Sequence, residues 1–158
     1  LGLLRMMLTR SPKVGYFRPI INKGINDAFD NHTNTAISFF NLETDHDECF
    51  AYHQYEVVEL LSEGKEDEII HTIIKKYKEL EKKFDYVLVE GTDFSGEGGF
   101  TEVDVNLMIA KNLGIPVLIV GAGNGKKKKD FINTMQITYN SFVSKEVDVI
   151  GVIANKIE

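Results

Sequence analysis

The sequence holds a single cysteine, Cys49, so no internal disulfide can form, and the chain reads as a reduced, cytosolic protein rather than a secreted one. It has no apolar run near the roughly 18–20 residues that a membrane-spanning helix needs, and no signal-peptide pattern at its start. A soluble, cytoplasmic protein without a membrane partner is expected. Surplus positive charge is also missing. With 18 Lys and Arg against 24 Asp and Glu, the net charge is -6, which argues against a nucleic-acid surface, because neutralising phosphates takes clustered basic residues. The four histidines, His32, His46, His53 and His71, show no zinc-ligand spacing, and no structural metal is expected. No Ser-His-Asp arrangement can be read from the order of residues.

A phosphate-binding Walker loop is absent too. Gly121-Ala122-Gly123-Asn124-Gly125 followed by Lys126 to Lys129 has the right flavour, but three residues separate Gly121 from Gly125 where the motif has four. Lys127 stands where a metal-binding hydroxyl belongs. Four consecutive lysines read as a solvated turn, with an attracted anion as the alternative.

What is present is enough apolar material, 43% of 158 residues, to bury one sizeable core, and a single domain spanning 1–158 is expected. The chain opens in an uncapped helix, residues 1–8, which leads us to expect further chain upstream. Pro12 closes that helix, and Val14 to Phe17 reads as a short buried strand. A polar loop covers 22–34, a short helix Thr35–Phe40, an irregular tract Glu43–His53, and another short helix Tyr55–Leu61. The strongest helical pattern runs from Glu66 to Phe84, with Ile69, Ile70, Ile73, Ile74, Tyr77, Leu80 and Phe84 on one face. Acids at its start and Lys82 and Lys83 at its end complement the helix dipole.

Beyond Asp85 strands and helices alternate: Tyr86–Val89, helix Thr101–Leu113 with Gly114 as its stop, strand Pro116–Val120, helix Asp130–Ser144, and strand Val147–Ile153. Apolar strands joined through helices predict an α/β fold, a mostly parallel sheet covered by helices on both faces. Ligand sites in such sheets lie beyond the carboxyl ends of the strands.

Arg18 follows the first of these strands, where its planar fork suits a phosphate or carboxylate ligand, or a bridge to a loop acid. Glu90 and Gly91 follow the second. A strand-end carboxylate suits magnesium, a hard ion that keeps several waters, and it equally suits capping a glycine-rich turn. Asp93 and Glu97 are weaker candidates in the same stretch. Asn155 ends the last strand, where its amide offers a donor and an acceptor to a purine or caps the loop.

Together, the stretches Val14-Gly15-Tyr16-Phe17-Arg18-Pro19-Ile20, Asp85-Tyr86-Val87-Leu88-Val89-Glu90-Gly91, Leu113-Gly114-Ile115-Pro116-Val117 and Gly151-Val152-Ile153-Ala154-Asn155-Lys156 carry a pattern. The chain resembles the dethiobiotin-synthetase-like P-loop NTPase family, and most closely the N-terminal domain of bacterial phosphate acetyltransferases. That resemblance implies a first strand and P-loop upstream of residue 1. It also implies a nucleotide-binding set of Arg18, Glu90, Gly91 and Asn155, with Glu90 at the magnesium of a weak or vestigial ATP site. Where the synthetases place a lysine and a serine, Arg18 and Asn22 stand, and arginine does not give up its proton to act as a base. The resemblance therefore implies a regulatory or oligomerisation domain, partnered by the catalytic domain of the same chain, by further copies and by a nucleotide or metabolite effector. The alternative is an ATP-dependent dethiobiotin synthetase or cobyrinic acid a,c-diamide synthase-like ligase.

Overall fold

Burial on both sides explains the first strand. Val14 and Tyr16 point one way and Gly15 and Phe17 the other, and all four are buried. The computed structural model describes residues 1–22, 30–93 and 101–157. Along them run α1 (Gly2–Leu8), β1 (Val14–Phe17), β2 (Ile20–Ile21), α2 (Asn31–Phe40), β3 (Tyr52–His53), α3 (Gln54–Ser62) and α4 (Glu66–Lys83). They continue as β4 (Tyr86–Val89), α5 (Glu102–Leu113), β5 (Val117–Ala122), α6 (Lys128–Val143) and β6 (Val149–Asn155). Among the described residues every strand pair is parallel: β1 with β4, β2 with β3, and β5 with β6. The fold is thus α/β with parallel pairing and flanking helices, as its alternating pattern predicts. The chain forms two compact units, Leu1–Glu102 and Val103–Glu158.

In the first unit, one face of β1 joins Leu4, Ala36 and Cys49 in a cluster that also takes in Met7, Ile37, Phe40 and Leu88. The other face meets α4, where the rings of Phe17 and Tyr77 lie 6.3 Å apart at 42°. Helix α4 keeps its expected start, and Ile69, Ile73, Tyr77 and Leu80 form its buried stripe. Helix α2 starts four residues before its expected Thr35, because Asp30 accepts a hydrogen bond from the Thr33 amide at 2.9 Å and so caps the chain at Asn31. The tract expected to be irregular, Glu43–His53, contains a 3-10 turn at His46–Glu48 and the two-residue strand β3. Two residues are too few to show a period, so β2 and β3 are invisible to pattern reading.

In the second unit, Ala110, Ile119, Phe142 and Val147 form the core, with Leu107, Met135 and Val149 against it. Within this unit β5 alternates, with Ile119 buried and Val120 59% exposed, and Val152 of β6 is 46% exposed. The shifts at the ends of these elements are small. β5 runs on to Ala122 and β6 to Asn155, two residues further than their patterns suggest, because the parallel ladder continues through Ala122 and Asn155.

Gly15 lets β1 lie close against its surroundings; a Cβ there would meet the Phe84 ring at 2.6 Å. Gly15→Ala is therefore expected to destabilise the fold by about 1–3 kcal/mol through overpacking, read as a lower urea midpoint at an unchanged slope. Truncating the centre of the α4 stripe, Ile73→Ala, is expected to cost about 2–5 kcal/mol in the same measurement, since Ile73 is wholly buried.

Candidate functional site

The parallel ladder of β1 and β4 ends with the Glu90 amide donating to the Phe17 carbonyl at 2.8 Å. That bond sets Glu90 beside Arg18. The backbone of Arg18 is held on its other side, its amide donating to the Cys49 carbonyl at 2.8 Å, while the Pro19 carbonyl accepts from Ala51 at 3.0 Å and Tyr52 at 3.1 Å. The strand edge and the 49–52 segment thus fix where the guanidinium begins.

The guanidinium itself is 2% exposed and gathers three carboxylates. Nη1 lies 3.5 Å from Glu90 Oε1 and 3.7 Å from Asp30 Oδ1. Nη2 donates to Asp93 Oδ1, which also accepts from Asn22 Nδ2 at 3.2 Å. His32 Nδ1 sits 2.7 Å from the same Glu90 oxygen. Asp30 serves twice, since its Oδ1 also takes the Thr33 amide and, at 3.0 Å, the Thr33 hydroxyl. Of the two readings open for Arg18 in the sequence, the bridge to acids is the contact formed.

Tyr16 stands beneath this cluster, 1% exposed. Its phenol is held far above its ordinary pKa, first by burial and then by the Glu90 charge, so it stays protonated. Cys49, whose carbonyl anchors Arg18, is wholly buried, and burial pushes its thiol up to about 11. It is an inert core residue rather than a nucleophile.

The other sequence candidates fall as follows. Gly91 is exposed just past β4, and Asp93 is 60% exposed while reaching Arg18. Asn155 lies in the second unit at the end of β6, its side-chain oxygen accepting from the Lys156 amide at 2.9 Å and its carbonyl accepting from the Gly123 amide at 2.8 Å. Glu97, the glycine stretch around it and Glu158 lie outside the described residues. The lysine run is exposed, with Lys128 and Lys129 in the first turn of α6 and Lys127 before it. Sequence reading missed Asp30 and His32. The only available signal for Asp30 was its position three residues before Thr33, as an N-cap.

Glu90 Oε1 is already taken by Arg18 and His32, and Asp30 Oδ1 by Thr33. Among the described residues no group of three or more His, Cys, Asp or Glu side chains is placed to hold a metal. As arranged, the carboxylate oxygens that face Arg18 are engaged by protein partners.

Glu102, at the start of α5, has its carboxyl held above the usual range by partial desolvation and then by the charge of Asp93. A raised carboxyl pKa means that the folded chain holds this proton more tightly than the unfolded chain, so ionising it as pH rises costs stability. Glu102→Gln is expected to raise the thermal midpoint near pH 7, with the gain shrinking as pH falls through the carboxylate range. Equal gains at both ends of a pH series would show that the charge is not responsible.

Comparison with known proteins places the chain in a family. A family model described as "AAA domain" matches residues 1–158. The chain is 36% identical over 156 residues to the phosphate acetyltransferase of Nitratidesulfovibrio vulgaris, covering 99% of this chain and 22% of that protein. It is 33% identical over 158 residues to the phosphate acetyltransferase of Synechocystis sp., covering 100% of this chain and 23% of that one. Against the Escherichia coli phosphate acetyltransferase the identity is 26% over 158 residues, covering 99% and 22%. The chain therefore spans less than a quarter of the length of the curated relatives it matches. With the family model matched along its whole length, the chain belongs to the AAA domain family and is homologous, at moderate identity, to a segment of bacterial phosphate acetyltransferases.

Proposed function

We propose that this chain is the N-terminal regulatory or assembly domain of a phosphate acetyltransferase, and that it is not itself catalytic. The observation that carries the reading is the pattern of coverage: the relatives align over nearly all of this chain but only 22–23% of their own lengths. On this reading, acetyl transfer between coenzyme A and phosphate, and with it a place in acetate metabolism, belongs to residues beyond this domain, in a cytoplasmic, oligomeric enzyme. The chemistry at the strand ends agrees. A guanidinium such as that of Arg18 is a poor base by its general chemistry, and Cys49 is held as a buried thiol rather than a nucleophile. The single-domain, dethiobiotin-synthetase-like character belongs to the same proposal, the family match running through both compact units. Adenine nucleotide then binds weakly or not at all.

The test compares the full-length enzyme with a version lacking residues 1–158. The shortened enzyme is expected to keep acetyl phosphate formation while changing its oligomeric state by light scattering, its response to metabolites, or both. Loss of turnover in a shortened enzyme that stays folded and assembled would overturn the reading. So would formation of dethiobiotin from diaminopelargonate, carbon dioxide and ATP by the full-length protein, which is the result a ligase predicts.

A further inference from the structure

Three carboxylates converge beyond the ends of β1 and β4, a setting that in other proteins suits a hard divalent cation. Here a cation is already built into the chain. We propose that Arg18 is the resident cation of this site: its guanidinium takes the place of a divalent metal among Asp30, Glu90 and Asp93, so the edge works independently of magnesium.

Position, charge and hydrogen bonding all bear on this. The guanidinium is 2% exposed, and its backbone is tied at the Cys49 carbonyl, so the group does not sample solvent as a surface arginine does. A guanidinium keeps its positive charge inside proteins, so it does not turn neutral to make room for a metal. A metal placed among the same three acids would stand within a few ångströms of that fixed positive charge. The oxygens facing Arg18 have further protein partners: Glu90 Oε1 has His32 at 2.7 Å, Asp30 Oδ1 the Thr33 amide and hydroxyl, and Asp93 Oδ1 Asn22 at 3.2 Å. Asp30 and His32 bracket the start of α2, whereas Glu90 and Asp93 follow β4, so the arginine joins two segments that a metal would otherwise have to bridge. Three acids against one arginine leave negative charge in surplus. That surplus attracts a divalent cation more strongly once the arginine is removed, and the three acids then need only a local shift to share one.

The experiment is a Mn²⁺ titration of the full-length enzyme, followed by electron paramagnetic resonance, with and without ATP. Wild type and Glu90→Gln are expected to titrate alike, because Glu90 holds no metal. Arg18→Met is expected to bind Mn²⁺ at least roughly tenfold more tightly than wild type, given the size of charge–charge interactions at such distances. The gain should disappear in the double variant carrying Arg18→Met and Glu90→Gln. A wild-type enzyme that loses one bound Mn²⁺ per chain on Glu90→Gln overturns the proposal, and this comparison stands even if Arg18→Met fails to fold. An Arg18→Met enzyme that folds and gains no Mn²⁺ overturns it as well. The outcome is independent of the assembly role proposed above.

Discussion

A guanidinium withdrawn from water must bring its counter-charges with it, and the end of β1 is organised by that requirement. Arg18 is among the most deeply buried large side chains of the molecule, and an unpaired charge at that depth would cost several kcal/mol. The cost is met by acids from both sides of the strand ends: Asp30 ahead of α2, and Glu90 and Asp93 beyond β4. Each acid also has a second task or partner. Asp30 caps α2, Glu90 holds His32, and Asp93 takes Asn22. The ion cluster therefore sets the start of a helix and the exit of a strand at once, and the 49–52 segment, bonded to the backbone of residues 18 and 19, completes the frame.

The two compact units handle their strands differently. β1 is closed on both faces, by the α1–α2 cluster on one and α4 on the other, and a glycine at position 15 is what lets the Phe84 ring lie against it. β5 and β6 are covered mainly on one face within their own unit. Val120, Ile150, Val152 and Ile153 keep large apolar side chains at least 46% exposed there. Apolar strands of different make-up, Val-Gly-Tyr-Phe in β1 and Val-Leu-Ile-Val at the start of β5, thus accompany two different degrees of covering.

On the function proposed above, the domain places things rather than turning over a substrate. The conspicuous groups are held: a protonated phenol, a buried thiol, and an arginine committed to carboxylates. Groups held in this way define a fixed local shape at the strand ends.

Local pattern was sufficient for α4, whose apolar stripe and end charges are properties of adjacent residues, and for β4 and the alternation after it, because periodicity is written in the order of residues. The amino acids at the strand ends, Arg18 and Glu90 among them, were legible for the same reason: a parallel strand places its next residue at a ligand-facing edge. Tertiary structure alone decided what those residues touch. Asp30 and His32 reach Arg18 and Glu90 across separations of up to 58 positions, and Asp93 reaches Arg18 across 75, distances at which no local propensity operates. The pairing of β2 with β3 is of the same kind, since two residues carry no period of their own. The sequence determined by itself that an arginine stands at the end of a buried strand. Only the folded chain decided that its partners are carboxylates, because desolvation compels a charge to find its opposite wherever the chain brings one near.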